Sequence, residues 1–206
     1  MNDAASAPNE ELAIADFWKW FGEVAPALLQ IDLVGAYGRE LSARLAKLNA
    51  EQWEIGPLDN RPKEMFFALS TQGDREQYER NKNIINRAPP IAGWTFLAAK
   101  PPKLWERRFI WPGNGESIDA NDWRFILYHY EDGMYDVELA GNPLIGFSVE
   151  EARQIVIFVV VSELGEAAAL NKLSRIAIQS NPSSDDEAQA VALPDLSDHI
   201  GSQTRH

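Results

Sequence analysis

The sequence predicts an α+β fold: a mainly antiparallel sheet with helices packed on one face, two N-terminal helices and a buried C-terminal helix. Three observations carry that expectation. Apolar residues recur at helical spacing before residue 50, alternate with polar ones at several places between residues 53 and 139, and form an unbroken run at 155–161. Short strands in hairpin order with helices between them suit a sheet that is covered on one side.

From Glu10 onward, Leu12, Ile14, Phe17, Trp18 and Phe21 give a helix with an aromatic face, which Pro26 should kink or end. Asp32 is a suitable N-cap for a second helix, in which Tyr37, Leu41, Leu45 and Leu48 continue the stripe begun by Leu33. The period then drops to two. Trp53 and Ile55, then Met65, Phe67 and Leu69, mark the strands of a hairpin around GPLDNRP. Residues 75–87 form a polar helix stopped by Pro89 and Pro90, and Trp94, Phe96 and Ala98 form the next strand. Lys103 to Ile110 reads as an edge strand, since RRFIW is flanked by prolines, and residues 116–120 as a short segment. A strand over 122–131 turns at Asp132 and Gly133 and returns through 134–139.

Ser148 and Glu151 have capping-box spacing, so a helix starts there. Ile155, Val156, Ile157, Phe158, Val159, Val160 and Val161 make it apolar on every side, as in a buried helix, and the alanines after it suggest one continuous helix to about Leu170. The run is far shorter than the roughly 20 residues that span a bilayer. Gly165 disfavours the helix and would let another backbone approach closely. A last strand covers 173–178. The expected organisation is a flexible N-terminus over 1–9, a single domain over 10–179, and a disordered polar tail over 180–206.

Composition narrows the chemistry. With 206 residues, 45% apolar and 24% charged, the chain is long enough to bury a substantial core. Its 31 acidic and 19 basic residues leave a net charge of −12, which opposes nucleic acid and anionic membrane and favours a basic protein partner. There is no cysteine, so thiolate metal sites, disulfides and cysteine nucleophiles are excluded. The N-terminus has no basic start or apolar segment of a secretory signal, and a cytoplasmic address is expected.

No metal site or cofactor is expected. Asp119, Asn121 and Asp122 lack the glycine and glutamate positions of a calcium loop and read as an Asx turn. Gly113 and Gly115 lack the third glycine of a dinucleotide loop. Lys100, Lys103, Trp105, Arg107 and Arg108 are the local basic cluster, interrupted by Glu106; they suit either single-stranded nucleic acid or a charge-guarded strand edge. Glu163 and Glu166 fall on neighbouring positions of one helical face and, with His129, are the catalytic candidates if the chain is an enzyme using acid and base chemistry on a small molecule. The same glutamates also read as the solvent edge of a half-buried helix, and His129 as a strand imidazole continuing the Trp123, Phe125, Leu127 face. Trp18, Trp20, Trp105 and Trp111 are candidate partner anchors if exposed, because tryptophan dominates binding hot spots.

WEIG at 53–56, the serine and glycine turn at 70–73, APPIAGW at 88–94 and ELGE at 163–166 together resemble a pattern in uncharacterised bacterial proteins, over about residues 50–178. That resemblance implies no activity and transfers no functional residue. The leading expectation is a non-enzymatic, cytoplasmic protein-interaction module for a basic partner.

Overall fold

The structure is a computed structural model that describes residues 7–58, 61–141, 143–179 and 181–202. It has the α+β architecture expected, with antiparallel pairs predominating. The chain divides into two compact units, Met1–Lys100 and Pro101–His206, where composition had suggested one domain over 10–179.

In the first unit, α1 (Ala7–Leu28) and α2 (Ile31–Ala46) precede the hairpin β1 (Trp53–Leu58) and β2 (Arg61–Leu69), followed by α3 (Arg75–Ile85) and β3 (Trp94–Leu97). Of the expected flexible segment 1–9, residues 1–6 lie outside the described residues and 7–9 are already helical. Pro26 sits in the last turn of α1 and Leu28 ends the helix, so the ring costs little regular structure. The N-cap of α2 is Gln30 rather than Asp32. Aromatic rings from both layers make the core: Phe17 lies 4.9 Å from Trp18, Trp18 4.7 Å from Phe96, and Phe21 5.2 Å from both Phe67 and Trp94. Asp74 caps α3 through Glu76 N–H, and buried Asn81 on that helix donates to the carbonyls of Ser70 and Ala98, tying it to the segments that leave the parallel strands β2 and β3 at the same end of the sheet.

The second unit begins with a two-stranded ribbon, β4 (Arg108–Ile110) and β5 (Ser117–Asp119). The hairpin β6 (Arg124–His129) and β7 (Tyr135–Ala140) follows, then α4 (Val149–Leu164), α5 (Glu166–Lys172) and β8 (Leu173–Gln179). Both halves of the Ser148 and Glu151 capping box are made. Ile155, Val156, Val159 and Val160 pack in one cluster with Phe125, Val137 and Leu139, which is why α4 is apolar around most of its circumference. The helix is not continuous: α4 and α5 meet at 105° across Gly165. There Gly165 adopts φ +78, and a Cβ on it would lie 2.8 Å from Pro102 Cδ and 2.9 Å from Pro102 N, the close backbone approach its identity suggested.

The segment expected to be disordered from 180 folds back. α6 (Ser184–Gln189) has its own capping box through Ser183 and Asp186, β9 (Val191–Ala192) pairs with β6, and a 3-10 turn (Leu193–Asp195) leads into α7 (Leu196–Ser202). Leu193, Leu196 and Ile200 are buried in the second core. Each such side chain contributes about 1.5–3 kcal/mol on burial, which offsets the ordering of a polar stretch. Residues 180 and 203–206 lie outside the described residues.

Sheet orders are β1-β2-β3 and β8-β7-β6-β9. In each unit a hairpin is followed by helix and then by a strand parallel to the hairpin's second strand, β3 on β2 and β8 on β7. This shared plan has no counterpart in a sequence repeat. No single helix among the described residues is long and apolar enough to cross a membrane.

Candidate functional site

The second sheet buries one face under α4 and carries an unusual polar layer on the other. Along β7, Tyr135, Val137 and Leu139 enter the core, so the pleat turns Asp136 and Glu138 outward. These carboxylates are nonetheless 7% and 9% exposed. They keep their solvation through protein groups. Arg175, opposite Asp136 on β8, donates from Nε to Asp136 Oδ2 at 2.9 Å and from Nη2 to Glu138 Oε1, while its own side chain stays 56% exposed. Tyr130 donates to the same Asp136 oxygen at 3.0 Å. That bond, followed by burial and the Asp136 charge, raises the Tyr130 hydroxyl above its ordinary value, so it is a proton donor throughout the neutral range.

Tyr128 completes the layer. Its hydroxyl is raised by burial and then by the charges of Asp186 and Glu138. Gln179 Nε2 donates to Asp186 Oδ2 at 3.3 Å, whereas Gln179 Oε1 is buried with no partner among the described residues. The face thus presents three carboxylates, two tyrosines and an amide around one arginine. Such a surface is suited to cations and hydrogen-bond donors.

The catalytic candidates do not form a set. Glu163 accepts from Arg107 Nη2 at 2.6 Å, Arg107 Nε at 3.1 Å and Trp105 Nε1 at 3.3 Å, which occupies the carboxylate in holding the 101–107 segment against α4. Lys103 N–H adds a bond to Ser162 C=O at 2.8 Å. Arg107 has φ +57, a conformation costing roughly 1–2 kcal/mol in an L-residue, and its bidentate pair with Glu163 helps to hold it there. Glu166 is buried at the first turn of α5, on the far side of the Gly165 bend and not on the solvent edge of one helix. His129 is exposed at the end of β6, stacks on Tyr135 at 4.6 Å, and shares no hydrogen bond with Glu163.

Tryptophan anchors are likewise absorbed into the protein. Trp18 and Trp20 are 3% and 8% exposed, which removes them as partner contacts. Trp18 donates to Ile84 C=O at 2.9 Å, and Arg44 covers the Trp20 ring at 4.6 Å. Trp105 and Trp111 are half-buried against the second core. A buried indole needs a partner for its N–H, and those of Trp18 and Trp105 find one inside the fold.

The basic cluster is engaged in the same way. Arg108 pairs with Asp119 at 2.7 Å, Lys103 lies over Phe158 at 5.1 Å, and Lys100 is 3.8 Å from Glu54. Asp119 also accepts from Asn121 N–H at 3.0 Å, the Asx turn expected.

Sequence reasoning missed Asp136, Glu138, Arg175, Tyr128 and Gln179. The alternation Tyr, Asp, Val, Glu, Leu over 135–139 was the available signal for two carboxylates on one face. No family model, curated protein or solved structure matches the chain.

Proposed function

We propose that the chain is a non-enzymatic, cytoplasmic protein-interaction module that binds or neutralises a basic protein partner. The observation that carries this reading is where the charge sits. The second unit holds 17 acidic and 8 basic residues, so it accounts for −9 of the −12. Its outer sheet face adds aromatic hydroxyls to those carboxylates, with Tyr130 45% exposed. Tyrosine beside carboxylates suits lysine and arginine side chains, which gain both charge pairing and ring contact. The engagement of Glu163 by Arg107 and Trp105 weighs against its use as a free acid or base.

The reading is tested by affinity capture of the tagged full chain from cell extract at low and at moderately raised salt, with identification of what co-purifies. A stoichiometric basic protein that is released as salt rises is the expected result, because association between opposite charges is screened over a Debye length of about 10 Å at 0.1 M. Recovery of acidic proteins only, or of none, overturns it.

A further inference from the structure

We infer that β8 is the docking edge, and that its occupant is an extended segment of the basic partner, alternating apolar and cationic residues, added as a fifth strand of the second sheet. The inference rests on the basic-partner reading and says where and how the contact is made.

β8 is an edge: among the described residues it pairs with β7 alone, and its residues are exposed or half-buried where those of β7 are almost all buried. Gly141 N–H donates to Gln179 C=O at 3.0 Å, so Gln179 turns its backbone groups towards β7. In a strand, successive residues turn their peptide groups to opposite sides. Arg175 and Ala177 therefore also face β7, and Ile176 and Ile178 direct N–H and C=O to the open edge. Beyond the register shift at residues 173–175, the five residues 175–179 pair continuously with β7 and leave a regular edge for strand addition.

The two faces of the sheet set the chemistry of the added strand. On the α4 side, Ile176 and Ile178 pack against the second core, so incoming residues on that side meet apolar surface. On the outer side the register places Glu138 beside Ala177. A residue of the added strand opposite Ala177 stands two strand spacings of about 4.8 Å from Glu138. Ala177 is short, and Arg175 engages only Oε1 of Glu138, so an arginine or lysine reaching across Ala177 would pair with the second carboxylate oxygen. Arg175, already seated on Asp136 and Glu138, demonstrates that this face accepts a guanidinium. Charge complementarity selects the cation over an acidic or neutral residue, since the unit carries −9.

The test uses the full chain and three capped hexapeptides that alternate Val with Arg, with Glu or with Thr. Amide hydrogen exchange is followed residue by residue, with binding measured by titration calorimetry. The Arg and Val peptide should bind, slow exchange of the Ile176 and Ile178 amides at least about tenfold, and lose affinity as salt rises. Glu138→Gln should weaken it about tenfold. Ala177→Leu, which leaves every charge in place, should abolish the preference for Arg over Thr in the same peptide frame and serves if Glu138→Gln does not fold. Binding without protection at Ile176 and Ile178 overturns the strand-edge inference while leaving the basic-partner reading intact. Failure of the Arg and Val peptide to bind overturns the inference, with the capture experiment deciding separately on the reading. Protection of the two amides that appears without peptide and grows with protein concentration assigns the edge to a second copy of the chain and overturns the proposal.

Discussion

Replacing Gly165 by alanine should destabilise the second unit severely, against the usual sign for this substitution. Gly to Ala ordinarily stabilises by about 0.4–1 kcal/mol through the unfolded chain. At φ +78 and ψ 154, however, Gly165 occupies a region that is essentially restricted to glycine, with a cost on the order of 1–3 kcal/mol for other residues. The new methyl would also stand 2.8 Å from Pro102 Cδ, 2.9 Å from Pro102 N and 3.2 Å from Pro101 C, atoms of backbone and a ring that cannot rotate away. Overpacking of that kind costs typically about 1–3 kcal/mol. The two penalties together come to roughly 2–6 kcal/mol, a large part of the about 5–15 kcal/mol that stabilises a domain. The assay is urea unfolding followed by the fluorescence of the tryptophans, with amide exchange at α4 and β8 to isolate the second unit's transition. At a slope of about 1–3 kcal/mol per molar urea, the midpoint should fall by about a molar or more. An unchanged or raised midpoint refutes the reasoning, because it would mean that neither the backbone angle nor the Pro102 contact constrains this corner.

Three further outcomes are expected. Glu163→Gln leaves Arg107 without its charged partner and should cost about 1.5–3 kcal/mol in the same unfolding assay, with a change in Trp105 emission; no change in either would show that the pair does not hold the 101–107 segment. Asn81→Ala strips hydrogen bonds from the Ser70 and Ala98 carbonyls and should lower the first unit's stability by about 1–3 kcal/mol, which an unaltered urea midpoint would contradict. Asp119 accepts from the Asn121 backbone and side chain and from Arg108, which lowers its pKa from 3.8 to about 2. Because the folded value is the lower one, its contribution to the β4 and β5 ribbon is complete above 3.8 and is lost as pH falls through about 2. An NMR titration of the Asp119 carboxyl with its midpoint at 3.8 or higher would sink this account.

Local chemistry was legible in the sequence wherever the controlling atoms lie within a few residues of one another. Ser148 and Glu151 start α4 because the hydroxyl and carboxylate meet amides three residues away, and the Asx turn at Asp119 and Asn121 closes over two. The bend at Gly165 was harder to read. A glycine among alanines reads as a weak point in one helix, and only the approach of Pro102 from a distant segment makes it a corner. Composition misled at the C-terminal end, where Ser, Asp and Glu between 183 and 187 masked the spacing of Leu193, Leu196 and Ile200 that buries them.

The candidate site divides along the same line. The sequence by itself determined the acidic balance, the absence of thiol chemistry, the α+β class and the two-residue period that sends Asp136 and Glu138 to one side of β7. Tertiary structure alone decided what those carboxylates face. Arg175 reaches them because β8 pairs parallel to β7 after the α4 and α5 crossover, a register set by packing between residues 39 apart. It also decided that Trp18 and Trp20 are core and that Glu163 is a strut for Arg107 and Trp105. Periodicity is a property of the local backbone, whereas burial and partnership depend on which distant surface the chain brings to each face.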